Sequence, residues 1–142
     1  MRLWHKDMIP VLPRQQLISQ WRECCCIAKN IHDKGTPNHI LVNRIMDYPL
    51  SQFWAYSCLV YNEMIKRHYK CNFDKFSQYF NISDIFGNKI EDTMFKDWHN
   101  DRYFIQCFFN LEEKYICGGI PKEEWKIIDH YFYQKTKGKN LL

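Results

Sequence analysis

Five prolines divide this 142-residue chain, and four of them stand where an apolar stripe with helical spacing begins. A proline ring lacks the amide hydrogen that a helix interior uses and clashes with the preceding turn, so it is tolerated at a helix start and rarely within. Behind Pro13, residues Leu17, Trp21, Cys24 and Ala28 recur at helical spacing, with Ile18 and Cys25 widening the stripe. Thr36-Pro37 predicts a short helix to about Met46. Behind Pro49, the residues Phe53, Trp54, Cys58, Tyr61, Met64 and Ile65 predict an amphipathic helix to about His68. Phe73, Phe76, Tyr79 and Phe80 suggest a short aromatic-faced helix, and Asn81 to Glu91 with Gly87 reads as a loop. Phe104, Ile105, Phe108, Leu111 and Tyr115 mark a long helix stopped by Gly118-Gly119. The last helix opens at Pro121 and carries Trp125, Ile128 and Phe132; its basic tail, 135–142 with Lys135, Lys137 and Lys139, is expected to fray.

Pro10 and Pro13 bracket a stretch too short and too interrupted for a helix, so Met1 to Leu12 is expected as extended chain packed on the body. No alternating strand pattern persists. The expected fold is therefore all-α, a compact single-domain helical bundle over residues 1–142 with an extended N-terminal segment. Hydrophobic residues at 46% against 25% charged describe a packed protein and exclude disorder. Seven cysteines cannot all pair, and three are consecutive, which suits a reducing compartment; a cytoplasmic location is expected. The first residues carry Lys6 and Asp7 and no long apolar core, unlike a signal peptide, and no window offers the roughly 18 apolar residues of a membrane span. The net charge of +4 suits a phosphate-rich partner, but only clustering of the cations would make it specific.

On the helix behind Pro13, positions seven apart nearly superpose, so Gln15 lies under Arg22 and Gln16 under Glu23 on a stripe expected to face solvent. Such a stripe is either a solvated helix face or a polar patch in which arginine binds a phosphate and the carboxylate acts as a base. A terminal α-amine, with a reference pKa near 8 against about 10.4 for lysine, is the more available neutral nucleophile at pH 7, provided the fold delivers it to a site. Cys24, Cys25 and Cys26 point about 100° apart on a helix and lack chelating spacing, so at least two of them read as small core residues and no metal is expected. His99, before Asn100-Asp101, suits a helix cap as well as a base. Gly118-Gly119 lacks the strand before it and the Lys-Ser/Thr after it that a phosphate loop needs.

Met-Arg-Leu-Trp-His at 1–5, Pro-Arg-Gln-Gln-Leu at 13–17 and Arg-Glu-Cys-Cys at 22–25 resemble the pyrimidine-dimer DNA glycosylase superfamily of the phage endonuclease V type. The likeness is closest to a branch of small bacterial proteins, where it extends to Asp101–Gly119. It implies an all-α fold, double-stranded DNA as partner, no cofactor, and a nucleophilic N-terminal amine. That amine attacks C1′ of the damaged nucleotide, giving a Schiff base that leads to base release and β-elimination. By the same resemblance, Met1, Glu23 and Arg22 are the catalytic candidates, and Arg2, Arg14 and Gln15 contact DNA. Three positions depart from the family pattern: Met1 precedes Arg2, which should block its removal, Gln16 replaces a histidine, and Cys26 replaces an arginine. Retaining Met1 moves the amine along the chain by up to about 3.8 Å. The alternative reading is a non-catalytic nucleic-acid or protein binding module that keeps the fold. Nothing in the sequence sets the oligomeric state.

Overall fold

The computed structural model describes residues 1–86 and 94–137. Among them no residue lies in a strand, and the helices are α1 (Arg14–Lys34), α2 (Leu50–Lys66), α3 (Asp74–Ser77), α4 (Ile82–Phe86), α5 (Asp101–Ile116) and α6 (Lys122–Thr136). Two 3-10 helices, Lys6–Val11 and Asn43–Asp47, join them. The fold is all-α, and none of the described helices is long and apolar enough to cross a membrane.

Three helices start where the prolines predict, but one residue later. Pro13, Pro49 and Pro121 sit outside α1, α2 and α6 as extended N-cap residues with ψ of 153°, 141° and 145°. Proline brings no capping side chain. At α1 the deficit is met from a distance, since Glu124 of α6 accepts the Arg14 N–H at 2.6 Å and so satisfies an orphan donor at the positive end of the helix. The stretch after Pro37 forms only a turn and the second 3-10 helix, not an α-helix.

α2 is the central element, packing against α1, α4 and both 3-10 helices, with Phe53, Tyr56, Val60 and Met64 buried. It ends two residues before the predicted His68, which takes the left-handed conformation (φ 62°) while Tyr69 N–H bonds back to the Met64 carbonyl. Gly118 (φ 85°) ends α5 by the same backbone geometry. α5 and α6 pack through the stacked rings of Phe108 and Phe132, 3.8 Å apart between centroids.

Two expectations need correction. The first twelve residues are not extended throughout: Met1 to His5 and Leu12 lack helical structure, and Lys6–Val11 forms a 3-10 helix around Pro10. A 3-10 helix this short uses few amide donors, so the proline costs it little; the His5 imidazole accepts the Asp7 N–H at 3.0 Å and caps it. The stretch read as a loop from Asn81 contains α4, opened by the Asp84 carboxylate accepting the Asn81 N–H at 2.9 Å, one half of a capping box. The remainder of that loop reading, with Gly87 and Glu91, and the end of the basic tail with Lys139 fall outside the described residues; Lys135 is still helical in α6.

Candidate active site

The N-terminal segment is a core element. Leu3, Trp4, His5, Met8, Ile9 and Leu12 are all buried, and a buried irregular segment must satisfy its backbone with side chains. It does so residue by residue. Gln20 of α1 donates to the Arg2 carbonyl at 3.0 Å and accepts the Trp4 N–H at 2.8 Å. Tyr103 of α5 donates to the Leu3 carbonyl at 2.7 Å, and Tyr56 of α2 to the Trp4 carbonyl at 2.6 Å. Further along, the Lys6 N–H is accepted by His99 Nδ1 at 2.9 Å. Residues 2–6 are therefore clamped by side chains from α1 and α2 on one side and from α5 and its approach on the other.

This clamp sets the chain over Glu23. The Arg2 N–H points to Glu23 Oε2 at 3.4 Å, and Gln20 Nε2, one turn earlier on the same face, lies 3.3 Å from the same oxygen. Both bonds are long, so the carboxylate is held without being saturated. The N-terminal nitrogen that reaches it is the Arg2 amide, three covalent bonds inside the Met1 amine. Glu23 and Gln16 are half-buried beneath their neighbours, so the stripe predicted to face solvent does so only at Gln15, Ser19 and Arg22.

Two clusters of cations lie near this part of the chain, one at Arg22 and one at Arg2. Arg22, the next position round α1, lines a cavity of about 330 Å³ with Lys70 and Lys75, and with Cys25 and Cys71, whose thiols burial pushes up to about 11. Arg14, further down α1, holds its guanidinium 5.3 Å over the Tyr69 ring, against the same 69–75 segment, and Gln15 beside it is exposed. At the second cluster Arg2 lines a cleft of about 580 Å³ between the 39–44 turn and α5, with Arg44, Arg102, Trp98 and Tyr103. Burial, followed by nearby Cys107, raises the Tyr103 phenol above its ordinary value, so it stays a neutral donor to the arm.

Of the six predicted residues, the Arg2 backbone meets Glu23, Met1 precedes it in the chain, Arg22 is the neighbour of Glu23 on α1 and lines a separate cavity, and Arg14 with Gln15 lies further along α1. Reading the sequence missed Gln20, Tyr56 and Tyr103, which build the clamp. Gln20 carried a usable signal, because a glutamine three residues after Leu17 and four before Cys24 falls on the apolar stripe. Arg44, Arg102, Lys70 and Lys75 join the site only through tertiary contact. Of the consecutive cysteines, Cys24 is buried, Cys25 half-buried and Cys26 exposed, so one rather than two is fully core. Among the described residues no three His, Cys, Asp or Glu side chains converge on a metal-sized site.

Residues 1–77, which carry the arm, the carboxylate and the Arg22 cavity, match a family model described as pyrimidine dimer DNA glycosylase. No curated protein and no solved structure matches the chain.

Proposed function

The chain belongs to the pyrimidine dimer DNA glycosylase family, and from that premise we propose that it is a DNA-repair glycosylase with abasic-site lyase activity on duplex DNA. The Met1 α-amine is its nucleophile and Glu23 its acid/base. The observation that carries this reading is the Arg2 N–H directed at Glu23 Oε2 at 3.4 Å. Covalent geometry keeps the Met1 nitrogen within about 3.8 Å of the Arg2 nitrogen, so the Arg2 contact limits how far the amine can stand from the carboxylate, which supports the reading.

The amine forms a bond to C1′ as the bond from C1′ to the damaged base breaks and the base leaves with the bonding pair. The amine gives a proton to Glu23, which passes it to O4′ as the C1′–O4′ bond breaks, and the ring-opened adduct becomes a protonated Schiff base. The Glu23 carboxylate then takes a proton from C2′, and the C3′–O bond breaks to release the 3′ phosphate. Water finally hydrolyses the imine and frees the amine. Arg22, with Lys70 and Lys75 in the same cavity, suits a strand phosphate, and Arg2, Arg14 and Gln15 add DNA contacts.

Borohydride reduction during reaction with an abasic duplex tests this: we expect a covalent adduct at the N-terminal amine. Glu23→Gln should slow turnover by roughly a hundredfold or more, the range of a positioned acid/base. Unblocked protein that yields no adduct overturns the catalytic reading. Cys26, exposed where the family carries arginine, favours a second reading, a binding module without chemistry. That reading requires DNA affinity that survives Glu23→Gln with no adduct from either form.

A further inference from the structure

Arg2, Arg44 and Arg102 bring three guanidinium groups to one cleft whose lining holds a single carboxylate, Asp97. The ion pairs found among the described residues involve none of these arginines. Two are held by rings instead: the Arg44 guanidinium lies 5.6 Å from the centroid of Trp98, and that of Arg2 5.1 Å from Trp4. Stacking fixes the plane of a guanidinium while leaving its edge N–H donors free for an anion. The cleft volume of about 580 Å³ is in the range of ligand sites, roughly 300–1,000 Å³.

The turn that forms the outer wall adds an independent observation. Its polar groups bond among themselves. Asn43 Oδ1 accepts the His39 N–H at 3.0 Å, the His39 carbonyl accepts from the Val42 and Asn43 N–H groups at 3.0 and 2.9 Å, and Asn30 Nδ2 donates to the Pro37 carbonyl at 3.2 Å. Val42 and Ile45 anchor the turn in the core. This rigid loop presents Ile40, 84% exposed, and Leu41, 52% exposed, to solvent beside the arginines. Two adjacent aliphatic side chains held out by a tied-down turn contribute nothing to folding where they stand. A partner that suits both walls must carry anionic groups and apolar faces within a few ångströms of each other, which is the chemistry of a nucleic-acid strand.

We propose that this cleft binds the sugar–phosphate backbone of one DNA strand, with Arg2, Arg44 and Arg102 on phosphates and Ile40 and Leu41 against a deoxyribose or base edge. The assignment rests on the DNA-acting reading above and adds a wall, Asp97 to Asn110, that lies beyond the residues matched to the family.

The test measures affinity of the full chain for a duplex containing a tetrahydrofuran abasic analogue and for its undamaged counterpart, over a range of salt. Arg44→Gln/Arg102→Gln should lower the slope of log K against log salt by about two and weaken both duplexes alike. Arg102→Gln alone, which removes no ring stacking, should lower it by about one. Ile40→Ser/Leu41→Ser should reduce affinity with the slope unchanged, and Lys126→Gln on α6 serves as the charge control. A wild-type slope in the arginine variants overturns the proposal, as does loss of binding to anionic vesicles with DNA affinity intact. Adduct trapping separates the two readings. Trapping with an unaltered slope sinks the cleft alone, a lowered slope without trapping sinks the lyase alone, and absence of DNA binding at low salt sinks both.

Discussion

At the scale of single residues, Gln20 does more to build the site than any residue read from the sequence except Glu23. Its amide meets the Arg2 carbonyl, the Trp4 N–H and the Glu23 carboxylate while fully buried, so it transmits the position of α1 to the arm. Gln20→Leu leaves the Trp4 N–H buried without an acceptor, which should cost about 1–3 kcal/mol in urea unfolding and reduce adduct formation through a displaced N-terminus. Unchanged stability together with unchanged trapping would remove Gln20 from this role. Glu23 and Arg22 were legible as a pair because their types and spacing are local. The polar stripe itself was ambiguous, since the same residues on an isolated helix would face water. The arm meets Glu23 from 21 residues away in the chain.

Among the elements, the first 3-10 helix shows how a segment can be read correctly as irregular and still be misjudged in form. Pro10 within it and Pro13 behind it exclude an α-helix, but the His5 cap and Arg67 make a short 3-10 helix stable. Arg67, at the end of α2, donates to the Leu12 carbonyl at 2.7 Å and the Pro10 carbonyl at 3.0 Å and pairs with Glu63 at 3.2 Å. These carbonyls have no helical donor of their own. Arg67→Met keeps the length of the side chain and removes its donors, and should destabilise the protein by about 2 kcal/mol in chemical denaturation. A loss below about 0.5 kcal/mol would mean that water replaces the guanidinium without cost. The long helices α1, α2, α5 and α6 were legible because each repeats its apolar positions over several turns. α4 was not, because five residues hold too little period, and Ile82 and Phe86 stand largely exposed.

For the whole molecule, the His5–His99 contact joins the N-terminal arm to the approach to α5, and its protonation links pH to the stability of the entire fold. The rings stack 5.2 Å apart, and each Nδ1 accepts a backbone N–H, which a protonated nitrogen cannot do. Burial, then the nearby His5, Lys6 and Arg44 charges, lower His99 to about 2, and burial also lowers His5 against the opposing pull of Asp7. The unfolded chain therefore takes up protons below about pH 6.5 that native His99 refuses until about pH 2. Stability is full above 6.5 and is lost as pH falls, by up to about 1.4 kcal/mol per unit for each such group. His99→Asn retains an acceptor for Lys6 and should lower the dependence between pH 6.5 and 4.5 by about one proton, whatever it does to absolute stability. An unaltered slope would rule His99 out as the titrating group. The sequence by itself determined the helical class and the starts of the long helices, because period, proline and glycine act through the local backbone. Only the tertiary structure decided that Arg2 meets Glu23, that Gln20, Tyr56 and Tyr103 clamp the arm, and that Arg44 and Arg102 share a cleft with Arg2. Those contacts join residues from distant parts of the chain, and their energy exists only once the core has closed around Leu3 and Trp4.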